Sequence, residues 1–249
     1  IMRDATTTFA IALVDASRMM GPVPVVFVPG FTQTAASWDG VVPYVRGAVV
    51  LDVPLRNTFA ATAAAIGAAG GPAIYVGYSM GARLCLRLAL DRPDLVQGLV
   101  LVSGSPGIED AGEREQRMTA DDALAASVER EGVEAFLAMW LAQPMFANVR
   151  DDAPGVAARK ELTAEFVADC LRVLGAGVME PLWDRLGELR MPTALVTGAA
   201  DTKYDAIAEA MIERIRTGVF HVRLDGGHAL PQECPAELGK FVAAFAAEH

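Results

Sequence analysis

At 249 residues, 53% of them aliphatic or aromatic and 21% charged, the chain is long and apolar enough to bury one large core without metal or disulfide support. A formal net charge of −10 argues against nucleic acid and anionic membrane as general partners, because both select basic surfaces. The three cysteines, Cys85, Cys170 and Cys234, are odd in number and widely spaced with no C-x-x-C pair, a pattern that fits reduced thiols in a cytoplasmic protein rather than a disulfide framework or zinc finger.

In chain order, the opening stretch "IMRDATTTFAIALVDASRMMG" alternates polar and apolar residues and has no basic head before an apolar run, so it does not read as a signal peptide. It contains the first of seven short β-rich runs, Phe9–Val14. The others are Val23–Val28, Ala48–Leu51, Ala73–Val76, Gly98–Val102, Thr193–Val196 and Val219–Leu224. Several are almost wholly apolar, as parallel strands covered on both faces are, and helical-period segments lie between most of them. This alternation predicts an α/β fold, a mostly parallel sheet flanked by helices. The rhythm breaks after Gly104. Up to about Pro181 only helical stretches are found, Thr119–Arg130, Val133–Ala142 and Thr163–Leu174, separated by Gly, Pro and Asp. In the second, Val133, Phe136, Leu137, Trp140 and Leu141 share one helical face. The expected organisation is a core of residues 1–104 and 182–249 carrying a helical cap, 105–181, over the carboxyl ends of the strands, where parallel sheets bind ligands. No apolar run approaches the ~20 residues that span a bilayer.

Gly77-Tyr78-Ser79-Met80-Gly81 reads G-x-S-x-G, between the run Ala73–Val76 and an amphipathic helix at Ala82–Leu90. That context suits a strained strand-to-helix turn that lifts a serine hydroxyl clear of the sheet. Such a hydroxyl is a weak nucleophile or base until a histidine takes its proton and a carboxylate fixes that histidine's tautomer. With the order Ser, acid, His, the histidine is His228 in "DGGHAL", just after the last β-rich run; His221 lies inside that run and His249 is the final residue. Asp201, shortly after Thr193–Val196, is the expected acid, with Asp205 and Asp225 as alternatives. Two backbone N–H donors for a developing oxyanion are expected from Met80 and from Phe31, at the Gly30-Phe31 turn. Arg83, one helical turn after Ser79, stands where the helix dipole disfavours a cation. A violation of that kind beside a nucleophile points to an anionic ligand.

The strings "GYSMGARLCLRLAL", "LVLVSGSPGIEDAGEREQR", "GVEAFLAMWLAQPMF", "LWDRLGELRMPTALVTGAADTKYDAIAEAM" and "GGHALPQECP" together resemble the 2-succinyl-6-hydroxy-2,4-cyclohexadiene-1-carboxylate synthases of menaquinone biosynthesis, a branch of the α/β-hydrolase superfamily. The resemblance runs from about Val25 to the C-terminus. It implies a triad of Ser79, Asp201 and His228, and substrate-binding positions at Tyr78, Arg83, Arg117 and Trp140. It also implies a third pocket arginine, for which Arg159 fits by spacing, with Arg150 and Lys160 nearby. The implied substrate carries three carboxylates, which guanidinium groups recognise bidentately, and the implied reaction is elimination of pyruvate without cofactor or metal. Two departures stand out: Pro29 precedes Gly30 where the family usually has histidine, and "LDVPLRNTF", around Leu55, is shorter than the corresponding family loop. A carboxylesterase or related hydrolase working through an acyl-serine, and a non-catalytic ligand-binding protein, stay open beside the lyase.

Overall fold

A computed structural model describes residues 23–216 and 218–249; the run at Phe9–Val14 lies outside them. Six strands, β1 (Val25–Val28), β2 (Ala48–Val50), β3 (Ala73–Tyr78), β4 (Val96–Val102), β5 (Thr193–Gly198) and β6 (Val219–Leu224), make one parallel sheet in the order β2-β1-β3-β4-β5-β6. Among the described residues eight α-helices accompany them: α1 (Phe59–Gly70), α2 (Met80–Asp91), α3 (Ala111–Glu131), α4 (Val133–Leu141), α5 (Ala164–Leu174), α6 (Thr202–Ile212), α7 (Leu230–Glu233) and α8 (Pro235–Glu248).

Every residue of β1, β3 and β5 is buried, which is why these strands read as unbroken apolar runs, whereas β2 and β6 at the sheet edges are partly exposed. Alternate residues supply the two faces. Val26, Tyr75, Leu99 and Leu195 share a core with residues of α1, α2 and α6; Val25, Ile74, Val100 and Ala194 share one with Leu238, Val242 and Phe245 of α8. Each buried Val, Leu, Ile or Phe contributes about 1.5–3 kcal/mol, so this two-sided burial dominates the stability of the sheet. Strand order reverses between β1 and β3. The loops leaving those two strands therefore diverge and open a crevice at their carboxyl ends.

Between β4 and β5 the described chain contains helices and turns but no strand. Helix α3 begins at Ala111 rather than Thr119, because its first turns are polar and lack apolar periodicity; the start is fixed instead by Asp110, whose side chain accepts from the Glu113 N–H at 2.8 Å. Thr163 caps α5 in the same way, on Phe166 N–H. α3, α4 and α5 share a small core of their own, Ala125, Val128, Phe136, Val167, Ala168 and Leu171. Phe31 and Trp140 pack against its edge. No described helix is long and apolar enough to cross a membrane.

Candidate active site

Ser79 sits between β3 and α2 with φ +51°, a left-handed backbone that a non-glycine residue adopts only when its surroundings impose it. They do so through two glycines. A Cβ on Gly77 would lie 2.4 Å from Gly81 O, and one on Gly81 would lie 2.3 Å from Val28 O, so neither position admits a side chain without moving backbone. Two hydrogen bonds close the turn, Ser79 N–H to Val102 O at 2.9 Å and Arg83 N–H to Ser79 O at 3.2 Å.

His228 follows β6 and is 3% exposed. Its loop is clamped from both sides by Glu233, which accepts from Gly227 N–H at 2.6 Å and Ala229 N–H at 2.9 Å, while Ser103 Oγ donates to His228 O at 3.1 Å. Gly198, ending β5, lets this loop approach, since a Cβ there would come within 2.0 Å of Gly227 O. Asp201 caps α6 and directs Oδ2 at His228 Nδ1, 2.7 Å away. With Nδ1–H donating to that carboxylate, Nε2 is left to accept from Ser79 Oγ at 3.2 Å. The three expected triad residues are thus joined in one chain of hydrogen bonds. Asp205 is used elsewhere: it bonds Arg223 Nε at 2.6 Å and Thr197 Oγ1 at 3.1 Å, beside His221. Asp225 is exposed.

Ser79 opens onto a cavity of about 480 Å³ whose wall includes Phe31, Met80, Arg83, Arg117 and Trp140. Met80 opens α2, so its N–H belongs to the helix's unsatisfied first turn and is free to meet an oxyanion. Arg83 Nη1 is buried and has no hydrogen-bond partner among the described residues; the guanidinium rests over the Phe59 ring at 5.7 Å. Desolvation pulls its pKa down to about 10, with the neighbouring Arg117 adding to the effect and Tyr204 and Asp121 opposing it. Arg117, on α3, donates through Nε to Asp121 Oδ1 at 2.9 Å, and the other oxygen of that buried carboxylate has no partner among the described residues. Trp140 packs edge-on against Phe31 at 5.1 Å and stacks on Phe136 at 5.8 Å, with its Nε1 unpartnered among the described residues.

The remaining expected positions fall differently. Arg159 is fully buried, does not line the cavity, and bonds Thr32 Oγ1 at 2.7 Å and Gln232 Oε1 at 3.0 Å. Spacing along the chain could place an arginine on that segment but not say which way it faces. Arg150 pairs with Asp152 at the surface, and Lys160 is exposed. Tyr78 lies behind the turn, 2% exposed, where its ring takes the space that a Gly30 side chain would need; burial holds its phenol well above the usual range. The cavity residues that the sequence reading did not single out include Lys203 and Tyr204, two and three positions after Asp201, and Asp121. The first two share the helix start that Asp201 caps, and Asp121 is the i+4 partner of Arg117, a spacing visible in the sequence. Tyr204 lies tilted at 45° to the His228 ring with centroids 4.5 Å apart, and burial raises its phenol pKa, so it faces the site as a neutral hydroxyl.

Comparison with known proteins identifies the family. A model described as "Alpha/beta hydrolase family" matches residues 25–240. A 2-succinyl-6-hydroxy-2,4-cyclohexadiene-1-carboxylate synthase of Serratia proteamaculans (strain 568) is 34% identical over 177 residues, 67% of this chain and 66% of its own length. A Bacillus subtilis (strain 168) protein named provisionally for the same synthase is 33% identical over 175 residues, 68% of this chain and 64% of its own length. The chain therefore spans just under two thirds of these curated relatives. Among solved structures, MenH from S. aureus superposes with a TM-score of 0.82 at 25% identity, covering 91% of this chain and 94% of that one. The family match extends from β1 into α8 and takes in both the serine turn and the histidine loop, and the chain belongs to the alpha/beta hydrolase family.

Proposed function

We propose that the protein is a carbon–oxygen lyase that eliminates pyruvate from 2-succinyl-5-enolpyruvyl-6-hydroxy-3-cyclohexene-1-carboxylate, yielding the cyclohexadiene after which its relatives are named. The observation that carries this reading is Arg83, one helical turn from Ser79, whose Nη1 is buried and unpartnered among the described residues. Desolvating that donor without a partner destabilises the free protein, and a carboxylate ligand recovers the cost through a charge-assisted hydrogen bond. A pocket for neutral esters gains nothing from it. Arg117 and Lys203 add two further cations to the same wall. Three carboxylates, on the succinyl arm, the ring and the enolpyruvyl ether, then meet three cations, Lys203 taking the part that spacing had suggested for Arg159.

In this mechanism His228 Nε2 takes the hydroxyl proton of Ser79, and Ser79 Oγ removes the ring proton at carbon 2, next to the succinyl ketone. The released pair forms the carbon 2–carbon 3 double bond, the existing double bond shifts to carbons 4 and 5, and the carbon 5–oxygen bond breaks. Enolpyruvate leaves and is protonated to pyruvate. Charge building on the ketone oxygen is met by the N–H groups of Phe31 and Met80, and Asp201 holds the imidazole tautomer. The balance closes without a cofactor. The free, buried Cys85, Cys170 and Cys234 suit a reducing compartment, and we assign the protein to the cytoplasm as an enzyme of a small anionic substrate.

The test is a side-by-side assay of pyruvate release from enzymatically prepared substrate and of p-nitrophenyl acetate hydrolysis. Pyruvate release that is abolished in Ser79→Ala, with little ester hydrolysis, is expected. Ester hydrolysis without pyruvate release overturns the reading in favour of an acyl-serine hydrolase, and binding without turnover of either compound favours a ligand-binding protein.

A further inference from the structure

Arg159 is a fully buried cation with no carboxylate within 4.0 Å among the described residues, and it lies off the cavity wall. What it touches is the loop that leaves β1. Within that loop Gly30 N–H donates to Gln33 Oε1 at 3.2 Å and Gly30 O accepts from Gln33 N–H at 3.2 Å, so both polar groups of Gly30 are engaged inside the turn. The next residues are Phe31, which faces the cavity, and Thr32, a β-branched residue held at φ +60°. That conformation is costly for threonine, by about 1–3 kcal/mol, and persists only where its surroundings determine it. Arg159 Nη1 supplies the determinant by donating to Thr32 Oγ1 at 2.7 Å.

Its other arm reaches Gln232 Oε1 at 3.0 Å. The same oxygen accepts from Gln33 Nε2 at 3.1 Å, and Gln232 Nε2 donates to Pro154 O at 3.1 Å. Gln232 is on α7, four residues after His228. One guanidinium thus ties the turn carrying Phe31 to the helix that follows the catalytic histidine. We infer that Arg159 is a positioning residue: it fixes the Phe31 N–H as an oxyanion donor through Thr32 and places an uncompensated positive charge behind that turn. It does not bind a substrate carboxylate. The inference rests on the Gly30-Phe31 turn serving as half of an oxyanion hole, which both lyase and acyl-serine chemistry would use, and not on the identity of the substrate.

The experiment compares wild type, Arg159→Met, Arg159→Lys and Thr32→Val in three assays: pyruvate release, p-nitrophenyl acetate hydrolysis, and the rate at which diethyl p-nitrophenyl phosphate labels Ser79. The last needs the triad and oxyanion donors but no recognition of carboxylates. Loss of one well-placed donor costs about 10²–10³ in turnover, and loss of its support is expected to cost about ten- to a hundredfold in kcat and in labelling rate, with KM within threefold. Arg159→Lys keeps the charge but cannot bridge both acceptors, and should recover part of the loss. Thr32→Val keeps the arginine and should reproduce the kcat loss even where Arg159→Met fails to fold. A KM raised tenfold or more with kcat unchanged restores Arg159 as a substrate-binding residue, and unchanged labelling in folded Thr32→Val removes its positioning role. If the wild type labels and hydrolyses ester but releases no pyruvate, the lyase reading fails while the positioning role is still decided by the labelling rates.

Discussion

Two sets of side chains share one cavity and differ in how fully they are satisfied. At the triad, Ser79 Oγ, both nitrogens of His228 and both oxygens of Asp201 have protein partners, and the loops beneath them are locked by close glycine contacts and by Glu233. On the charged wall, Arg83 Nη1, Asp121 Oδ2 and Trp140 Nε1 are buried with no partner among the described residues. On the proposed function the first set is a proton-transfer chain, which must be assembled before the ligand arrives. The second set is, on the same proposal, a recognition surface, which keeps its polar groups unspent, at a cost in stability, until the ligand satisfies them.

The comparison breaks most directly at the serine. Ser79→Ala should lower pyruvate release by at least about 10⁴-fold while leaving binding of the product, measured calorimetrically, within a factor of about three. Equal loss of binding would mean that the two sets are not separable. Next in size, Gly81→Ala drives a Cβ toward Val28 O, 2.3 Å away, and should destabilise the fold by about 3 kcal/mol or more in a denaturant titration. A near-neutral result would show the serine turn to be far more pliable than its contacts indicate.

Arg83→Met sharpens the contrast from the other side. It should raise KM for the tricarboxylate about ten- to a hundredfold, from the loss of a charged hydrogen bond at ~1.5–3 kcal/mol, and leave p-nitrophenyl acetate hydrolysis unchanged. It should also stabilise the ligand-free protein. Burial lowers the folded-state pKa of Arg83 to about 10, below its value in the open chain, so its charge opposes folding fully below about 10, and that penalty fades as pH rises beyond it. At pH 7 the gain is expected to be of order 1 kcal/mol, roughly 2–4 °C in Tm, and a lower Tm instead would show that Arg83 is satisfied in the free protein. The smallest effect is expected at the exposed Lys203: Lys203→Met should raise KM about three- to tenfold, with a difference that shrinks as salt is added. A salt-independent effect would count against a charge contact.

The parts of this molecule legible in the sequence are those set by local rules. Apolar runs mark β1, β3 and β5 because those strands are buried on both sides, and the two glycines around Ser79 mark a turn that no side chain could share. The short edge strand β2 and the polar first turns of α3 carry less pattern, so boundaries there shift. Arg159 illustrates the harder limit. Its neighbours in space, Thr32 and Gln232, are 127 and 73 residues away along the chain, and nothing local distinguishes an arginine that faces the cavity from one turned beneath it. Lys203 escaped notice for a different reason, since a lysine in the first turn of a helix looks like ordinary solvated surface until Asp201 is known to point that turn at the site.

The small separate core shared by α3, α4 and α5 has an evolutionary consequence. Because Val128, Phe136, Val167 and Leu171 stabilise one another rather than the sheet, mutations among them are tested for folding largely within their own segment. Inheritance can therefore retain the Ser79–His228–Asp201 hydrogen-bond chain while α3, α4 and α5 drift and, on the proposed function, exchange one ligand chemistry for another. The seam where that freedom stops is Phe31, whose ring packs against Phe136 and Trp140 of α4 while its backbone belongs to the loop after β1. Descendants that acquire new substrates would be expected to record the change first in α3–α5, and only afterwards at this one aromatic.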